Sequence, residues 1–288
     1  MLLVRLILNL TPTGMVPTKA MTPVVPLSVE EIVQDVRICH EKHGITMLHL
    51  HARDADEFPT HRAEIYAKLI DGIRNYAPDL VICTSLSGRT VSNVELRADP
   101  ILKLKDSLKP DMGSLTLSSM NFTKQENINS PETVQRLAQI MLDNGIVPEL
   151  EIFDLGMANY ARYLVSKGLV KPPFYANLFL GNIAGAQLDL AHAGIMLRDL
   201  PEGTLWSFGG IGDAQLGANL LAIAMGGGVR IGLEDNIYVD RERKVLATNE
   251  AFVGRIHRLA TESGREVMTP SELRSLLKLK PGNGSYGR

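Results

Sequence analysis

Within the run Met47-Leu48-His49-Leu50-His51-Ala52-Arg53-Asp54, two imidazoles stand two residues apart between apolar neighbours. Side chains alternate along a β-strand, so His49 and His51 share one face. If that face looks into a barrel or cleft, both rings can offer a nitrogen to a divalent ion, and neutral imidazole suits zinc. A catalytic zinc usually takes three protein ligands and leaves a fourth position for water or substrate, so a third ligand must come from elsewhere in the chain. The plainer reading is a structural or accidental pair, because H-x-H in a strand often binds nothing.

The elements that must position this pair follow from the rest of the pattern. A chain of 288 residues, 45% hydrophobic and 22% charged, can bury one large α/β core or two ordinary ones. Leu2 to Leu10 reads as a first β-run, followed by an unusually long loop and a helix opened by the capping-box pattern Ser28-Val-Glu-Glu31. Further β-runs are predicted at Thr46–His51, Leu80–Thr84, Met112–Leu117, Ile146–Phe153, Phe174–Leu180, Thr204–Phe208 and Val229–Leu233. Between and after them lie helical patterns at about His61–Tyr76, Ser92–Asp106, Ser130–Asn144, Gly156–Gly168, Gly185–Leu197, from Asp213, Thr248–Gly264 and Ser271–Leu279. About eight β-runs alternating with about eight helices is the order of a (β/α)8 TIM barrel, here a single domain over residues 1–279. An open doubly wound sheet is the runner-up, but no strand is followed by GxGxxG. Lys280 to Arg288, rich in Gly, Lys and Ser, reads as a flexible tail.

Composition narrows the partners. A net charge of −2 argues against nucleic acid and anionic membrane surfaces. No apolar run reaches spanning length and the amino-terminal stretch has no cleavage-like segment, so the expected location is cytoplasmic. Cys39 and Cys83 fit reduced, buried thiols.

A TIM barrel carries its active site at the carboxyl ends of its strands. The fifth run ends Pro148-Glu149-Leu150-Glu151, whose two acids share a face and could be pocket carboxylates. The eighth ends Arg230-Ile231-Gly232-Leu233-Glu234-Asp235-Asn236, the densest polar cluster at any strand end. Barrel closure brings strand eight near strands one and two, which makes Glu234 the candidate third metal ligand. Other readings stand beside these. Arg230 with Asp235 could be a plain ion pair on the barrel rim. Gly209 to Gly212 could cradle an anion or simply turn tightly. Arg53-Asp54 could do no more than lock the loop after strand two, while His40, His43, His61, His192 and His257 read as solvated or capping residues.

At full length the sequence resembles the β-keto acid cleavage enzymes, a group typified by the 3-keto-5-aminohexanoate cleavage enzyme of lysine fermentation. The resemblance rests on Thr13-Gly14, His49-Leu-His51-Ala-Arg53-Asp54, Lys109-Pro110-Asp111-Met112, Met120-Asn121-Phe122, Pro148-Glu149-Leu-Glu151 with Gly156-Met157, and Gly232-Leu233-Glu234-Asp235-Asn236. It implies a TIM barrel that reacts a β-keto acid with acetyl-CoA as co-substrate, giving acetoacetate and a new acyl-CoA. It further implies zinc on His49, His51 and Glu234, an acid/base dyad of Arg230 and Asp235, and a pocket lined in part by Glu151, Ser114 and Thr116. The expected assembly is a homo-oligomer, dimer or tetramer. The chain departs from the amino-handling branch at Val16, where that branch carries an acid, and in the loop Leu86-Ser87-Gly88-Arg89, which is glycine-rich there. Either Ser85 or Ser87 then supplies the pocket hydroxyl. Val16 disfavours an ammonium-ended substrate, and Arg89 or Lys19 could receive a distal carboxylate. The competing classes are another metal-dependent barrel hydrolase or lyase and a non-catalytic ligand-binding barrel.

Overall fold

The computed structural model describes residues 5–288, so Leu2 to Val4 of the first predicted β-run lie outside the described residues. Its strands Leu8–Leu10, Met47–Leu50, Val81–Thr84, Met112–Thr116, Val147–Ile152, Tyr175–Leu180, Leu205–Gly210 and Gly228–Ile231, counted one to eight below, form a closed barrel. Every pairing is parallel, and closure sets strand one between two and eight. Asn9 is thereby in register with both Met47 and Arg230, which gathers strand ends far apart in sequence. This is the (β/α)8 TIM barrel expected from the alternation. No helix among the described residues is long and apolar enough to cross a membrane.

Buried residues fall into two apolar bodies. The larger lies between the barrel and its helices, where Ile32, Val36 and Cys39 of the helix Val29–His43, or Tyr66, Leu69, Ile70 and Ile73 of Ala63–Arg74, repeat at helical spacing. The smaller groups Ile7, Met47, Val81, Met112, Val147 and Tyr175 with Leu273 and Leu277 of the helix Pro270–Leu277. This second body includes residues at or beside the starts of the first six strands, so the amino-terminal end of the barrel is dry and filled. Side-chain polarity enters one pleat further up each strand, at Asn9, His49, Glu149 and Asn177, all buried.

The helices start where the sequence supplies caps. Ser28 accepts a hydrogen bond from Glu31 N while the Glu31 carboxylate accepts from Ser28 N, and Thr269 with Glu272 repeats the device. Two helices differ from expectation. The Ser92–Asp106 pattern breaks into Val94–Arg97 and Asp99–Lys103 with a 3-10 turn at Asp106–Leu108, because Pro100 has no N–H to continue the first helix. The helix expected from Gly185 begins only at Leu190, capped by Asp189, whose carboxylate accepts from Ala191 N and His192 N. Gly209 and Gly210 belong to strand seven and not to a loop. A Cβ on Gly210 would lie 2.4 Å from Ala214 O, so glycine there lets the following helix sit tight against the strand.

The segment 280–288 does not behave as the flexible tail that its composition suggests. Tyr286 is buried, with the Arg74 guanidinium 3.2 Å from its ring centroid. Gly287 N donates to Asp111 Oδ1, Arg288 N donates to Gly145 O, and the Arg288 side chain donates to carbonyls of Leu277, Lys171 and Pro173. One aromatic anchor and a set of backbone bonds hold a stretch whose three glycines and polar neighbours alone would predict disorder.

Candidate active site

His49 is oriented from below. The fully buried Glu149 carboxylate accepts from Asn9 Nδ2 and Asn177 Nδ2 through Oε1, each at 2.7 Å. Its Oε2 lies 2.5 Å from His49 Nδ1 and 3.2 Å from Cys83 Sγ, whose thiol donates to it. Burial works to raise the Glu149 pKa, but His49 outweighs it and holds the acid down at about 2. An ionised partner on Nδ1 keeps the proton there and turns Nε2 upward as a lone-pair donor. Glu149 is therefore no pocket carboxylate, although the alternation pairs it with Glu151. His49, Cys83 and Glu149 also lie close enough to share an ion. Their donors already bond one another, and burial with the Glu149 charge keeps the Cys83 thiol protonated, so this cluster is a hydrogen-bond network.

Above it the rings of His49 and His51 face the same space, their Nε2 atoms 3.2 Å apart. Glu234 Oε1 lies 3.1 Å from His51 Nε2 and 4.0 Å from His49 Nε2. Closure of the barrel sets strand eight beside strand one, so the turn that follows strand eight carries Glu234 across to the end of strand two. Glycine at position 14 makes room for this approach: its φ is +68°, and a Cβ there would stand 2.5 Å from Glu234 Cγ. Glu234 Oε2 is buried with no hydrogen-bond partner among the described residues. Two imidazole nitrogens and a carboxylate with an orphaned oxygen are the donor set of a divalent transition-metal site, so these residues fit a zinc ion. Protonation bears on the fit in both directions: burial lowers the His49 pKa, but the Glu149 charge outweighs it and raises the ring above its ordinary value, so an ion there would have to displace a proton. Burial pushes His51 down to about 4, and His51 and Arg230 overcome burial to hold Glu234 far below the carboxylate range.

Arg230, almost wholly buried, sits 2.8 Å from Glu234 Oε1 through Nη2 and 3.0 Å from Asp235 Oδ2 through Nε, with its guanidinium 4.8 Å from the Phe179 ring centroid. Burial raises the Asp235 pKa, helped by the neighbouring Glu234 charge and opposed by Arg230. Two adjacent acids are thus shifted in opposite directions, Glu234 down and Asp235 up.

His51, Arg230, Glu234 and Asp235 floor a cavity of about 510 Å³, with His49 buried behind His51, and its wall includes Met15, Val16, Ser85, Ser87, Arg89, Phe122, Glu151 and Phe179. Both candidate serines reach the wall. Thr116 does not line it; its hydroxyl donates to Glu151 Oε2 at 2.5 Å and fixes that acid, which burial raises in pKa. Ser114 is also absent from the wall, because its hydroxyl accepts from Leu86 N and braces the third loop instead. Lys19 is paired with Glu31 at 2.7 Å away from the cavity, so it is not the cation the distal end would meet.

Several positioning groups escape a sequence reading. His61 is buried, its ring nitrogens 3.2 Å from Ser85 O and 3.0 Å from Ser87 O, so it is neither solvated nor a cap. Arg97 donates to Leu86 O and Asn129 Oδ1. Arg53 donates to Gly14 O, Pro17 O and Glu57 O, tying the first loop to the end of strand two. Of these, Arg53 alone has a reading in the sequence, as a lock on the loop after strand two; its bond to Glu57 O is in that loop, and its bonds to the first loop go beyond that reading.

A sequence profile described as beta-keto acid cleavage enzyme matches residues 5–279. The chain belongs to that family. Among its relatives, a "3-keto-5-aminohexanoate cleavage enzyme" of Fusobacterium nucleatum subsp. nucleatum is 36% identical over 279 residues, 96% of this chain and 98% of that one. A "3-oxoadipate:acetyl-CoA acetyltransferase" of Cupriavidus necator is 34% identical over 276 residues, 95% of this chain and 94% of that one. The solved structure of ObcA in a binary complex with oxaloacetate gives a TM-score of 0.76 at 17% identity, over 92% of this chain and 68% of that one. At that identity the likeness shows the fold. Family membership agrees with the β-keto acid cleavage resemblance read from the motifs and stands against another metal-dependent barrel hydrolase or lyase and against a non-catalytic ligand-binding barrel.

Proposed function

We propose that this β-keto acid cleavage enzyme is a zinc-dependent acyltransferase, exchanging the acyl group of a β-keto acid with acetyl-CoA to give acetoacetate and a new acyl-CoA. The observation that carries the reading is the convergence of His49, His51 and Glu234, with an unpartnered Glu234 oxygen, beside an Arg230–Asp235 pair in one cavity. The acetyl-CoA role is supported by the Cupriavidus relative, a 3-oxoadipate:acetyl-CoA acetyltransferase by name. His49, His51 and Glu234 would hold the zinc, which would supply Lewis-acid neutralisation of enolate charge, worth several kcal/mol in the transition state. Asp235 removes the C2 proton of the β-keto acid, and Arg230 holds the carboxylate in line and stabilises its charged form. The C2 carbanion attacks the thioester carbonyl of acetyl-CoA and expels the CoA thiolate. That thiolate adds to the former keto carbon, the bond from that carbon to C2 breaks, and the electron pair returns to C2 as the enolate of acetoacetate. Asp235 returns the proton. Glu151, fixed by Thr116, and the Ser85 and Ser87 hydroxyls face the acyl chain from the wall.

The reading is tested by elemental analysis and a coupled assay on the same preparation. Purified protein is expected to carry about one zinc per chain, lost in the His49→Ala/His51→Ala double variant, and to consume β-keto acid only when acetyl-CoA is added. Full activity after exhaustive chelation, with no metal detected, would overturn the zinc assignment; CoA-independent turnover would overturn the exchange.

A further inference from the structure

The cavity has two chemically unlike ends. Its floor is acidic and metal-ligating, while its wall carries two cations, Arg89 and Lys124, for which no carboxylate lies within ion-pair distance among the described residues. Lys124 is exposed at the mouth, whereas Arg89 is half-buried. Arg89 differs from the other arginines kept from solvent. Among the described residues, Arg53, Arg74, Arg97, Arg230, Arg255, Arg265, Arg274 and Arg288 each donate to a carboxylate or a backbone carbonyl. The Arg89 guanidinium makes no such bond; its carbon lies 3.4 Å from the centroid of the Phe122 ring. Stacking on an aromatic face leaves the in-plane N–H groups free, in the fork geometry that matches a carboxylate.

That fork is carried on a braced loop. The Tyr66 hydroxyl donates to Ser85 O, the His61 ring sits between Ser85 O and Ser87 O, and Arg97 Nε donates to Leu86 O. Gly88 N donates to Asn127 Oδ1, and Arg89 N donates to Ser87 Oγ. A cation partly withdrawn from water, unpaired and preorganised is costly to fold unless a ligand completes it. The rest of this wall joins apolar Met15, Val16, Met21 and Phe122 to uncharged polar groups such as Ser85, Ser87 and Asn182. Its acid, Glu151, is bonded to Thr116 and pushed by burial toward its neutral form, so it is a poor counter-charge for an ammonium.

We propose that the substrate is a β-keto dicarboxylic acid, its reactive end at the His49–His51–Glu234 floor and its distal carboxylate received by Arg89 over Phe122. The reactive end rests on the acyl-exchange reading above; the Arg89 subsite stands on its own geometry. The test uses the metal-loaded protein as purified and its Arg89→Met and Arg89→Lys variants. With acetyl-CoA, kcat/KM is measured for 3-oxoadipate, for 3-oxohexanoate and for 3-oxo-5-aminohexanoate. Wild type should favour the dicarboxylate, and Arg89→Met should lower the dicarboxylate-to-neutral ratio by roughly 30- to 150-fold, the loss of one or two charge-assisted hydrogen bonds. Arg89→Lys should fall between them, since it keeps the charge without the fork. Calorimetry with the unreactive pair adipate and hexanoate reads the subsite without turnover: wild type should bind adipate at least tenfold more tightly, and Arg89→Met should erase the difference. If no β-keto acid is turned over but the adipate preference persists and depends on Arg89, the subsite stands and the exchange reading fails. Equal binding of the two acids by wild type, or equal losses for all substrates in Arg89→Met, would overturn the subsite.

Discussion

Two buried arginine–carboxylate pairs lie at opposite ends of this barrel, and they are built to different standards. At the amino-terminal end Asp111 receives Arg274 on both oxygens, at 2.9 and 2.8 Å, together with Ile82 N and Gly287 N. The remaining Arg274 donors go to the carbonyls of Asp79, Leu80 and Lys280. At the carboxyl-terminal end Arg230 divides itself between Glu234 and Asp235, its Nη1 and Glu234 Oε2 are buried without hydrogen bonds, and its longest contact to Asp235 is 3.5 Å. Both pairs had to overcome desolvation. The first fastens strands, final helix and carboxyl-terminal segment together, and its open groups are donors only, Nε and Nη2 of Arg74, which lies 3.5 Å from Asp111. The second leaves a carboxylate oxygen as well as a donor open beside the cavity, the difference expected where a ligand is to be received.

The comparison is most sharply tested at Asp235. Asp235→Asn keeps the shape of the site and removes the base, so turnover should drop by roughly two to four decades with zinc content unchanged. Loss of zinc in that variant would make Asp235 a ligand and displace Glu234 from the role. The mirror experiment is Asp111→Ala, which strands the Arg274 guanidinium and should cost about 3–5 kcal/mol of stability in denaturant unfolding, leaving zinc content intact. A loss below about 1 kcal/mol would show that the lower pair contributes little and that the contrast drawn above is false.

A third buried acid lies between these extremes and gives the smallest effect. Burial lifts Asp35 from 3.8 to about 6, partly offset by a hydrogen bond from Asn249 Nδ2 at 2.7 Å, which also donates to Pro12 O. The folded state therefore holds this proton more tightly than the unfolded chain, and stability falls as pH rises from about 4 to about 6, then stays level. Asp35→Asn should remove that slope and raise stability at pH 8 by roughly 1–2 kcal/mol, Asp35 being only partly withdrawn from water, with no gain near pH 4. Parallel unfolding curves at the two pH values decide it; an equal gain at both would point to packing and not to charge.

What could be read from sequence, and what could not, divides along the same physical line. The strand-to-helix rhythm and the pairing of His49 with His51 are local periodicities, so the barrel and the facing imidazoles follow from counting residues. The meeting of Glu234 with them needed only the closure of the barrel. Ser114 and Thr116 stand on the right strand, but the nearest acceptor or donor to a hydroxyl is a matter of ångströms, and they bond to Leu86 N and Glu151. His61 and Arg97 bind backbone carbonyls of another loop, and carbonyls carry no signature in a sequence. The docking of the 280–288 segment escaped for a related reason. Tyr286 is a single aromatic residue in a polar stretch, and its partners Arg74 and Arg274 lie elsewhere in the chain.

The bond from Arg53 to the carbonyls of Gly14 and Pro17 bears on how such an enzyme could change its diet. The arginine that follows the imidazoles grips the first loop by its main chain, and main-chain oxygens are the same whatever the side chain. Met15 and Val16 hang from a segment clamped at both sides, free to be exchanged for acids, amides or larger apolar groups while Glu234 keeps its place against Gly14. Heredity can therefore revise this part of the menu without touching the stove.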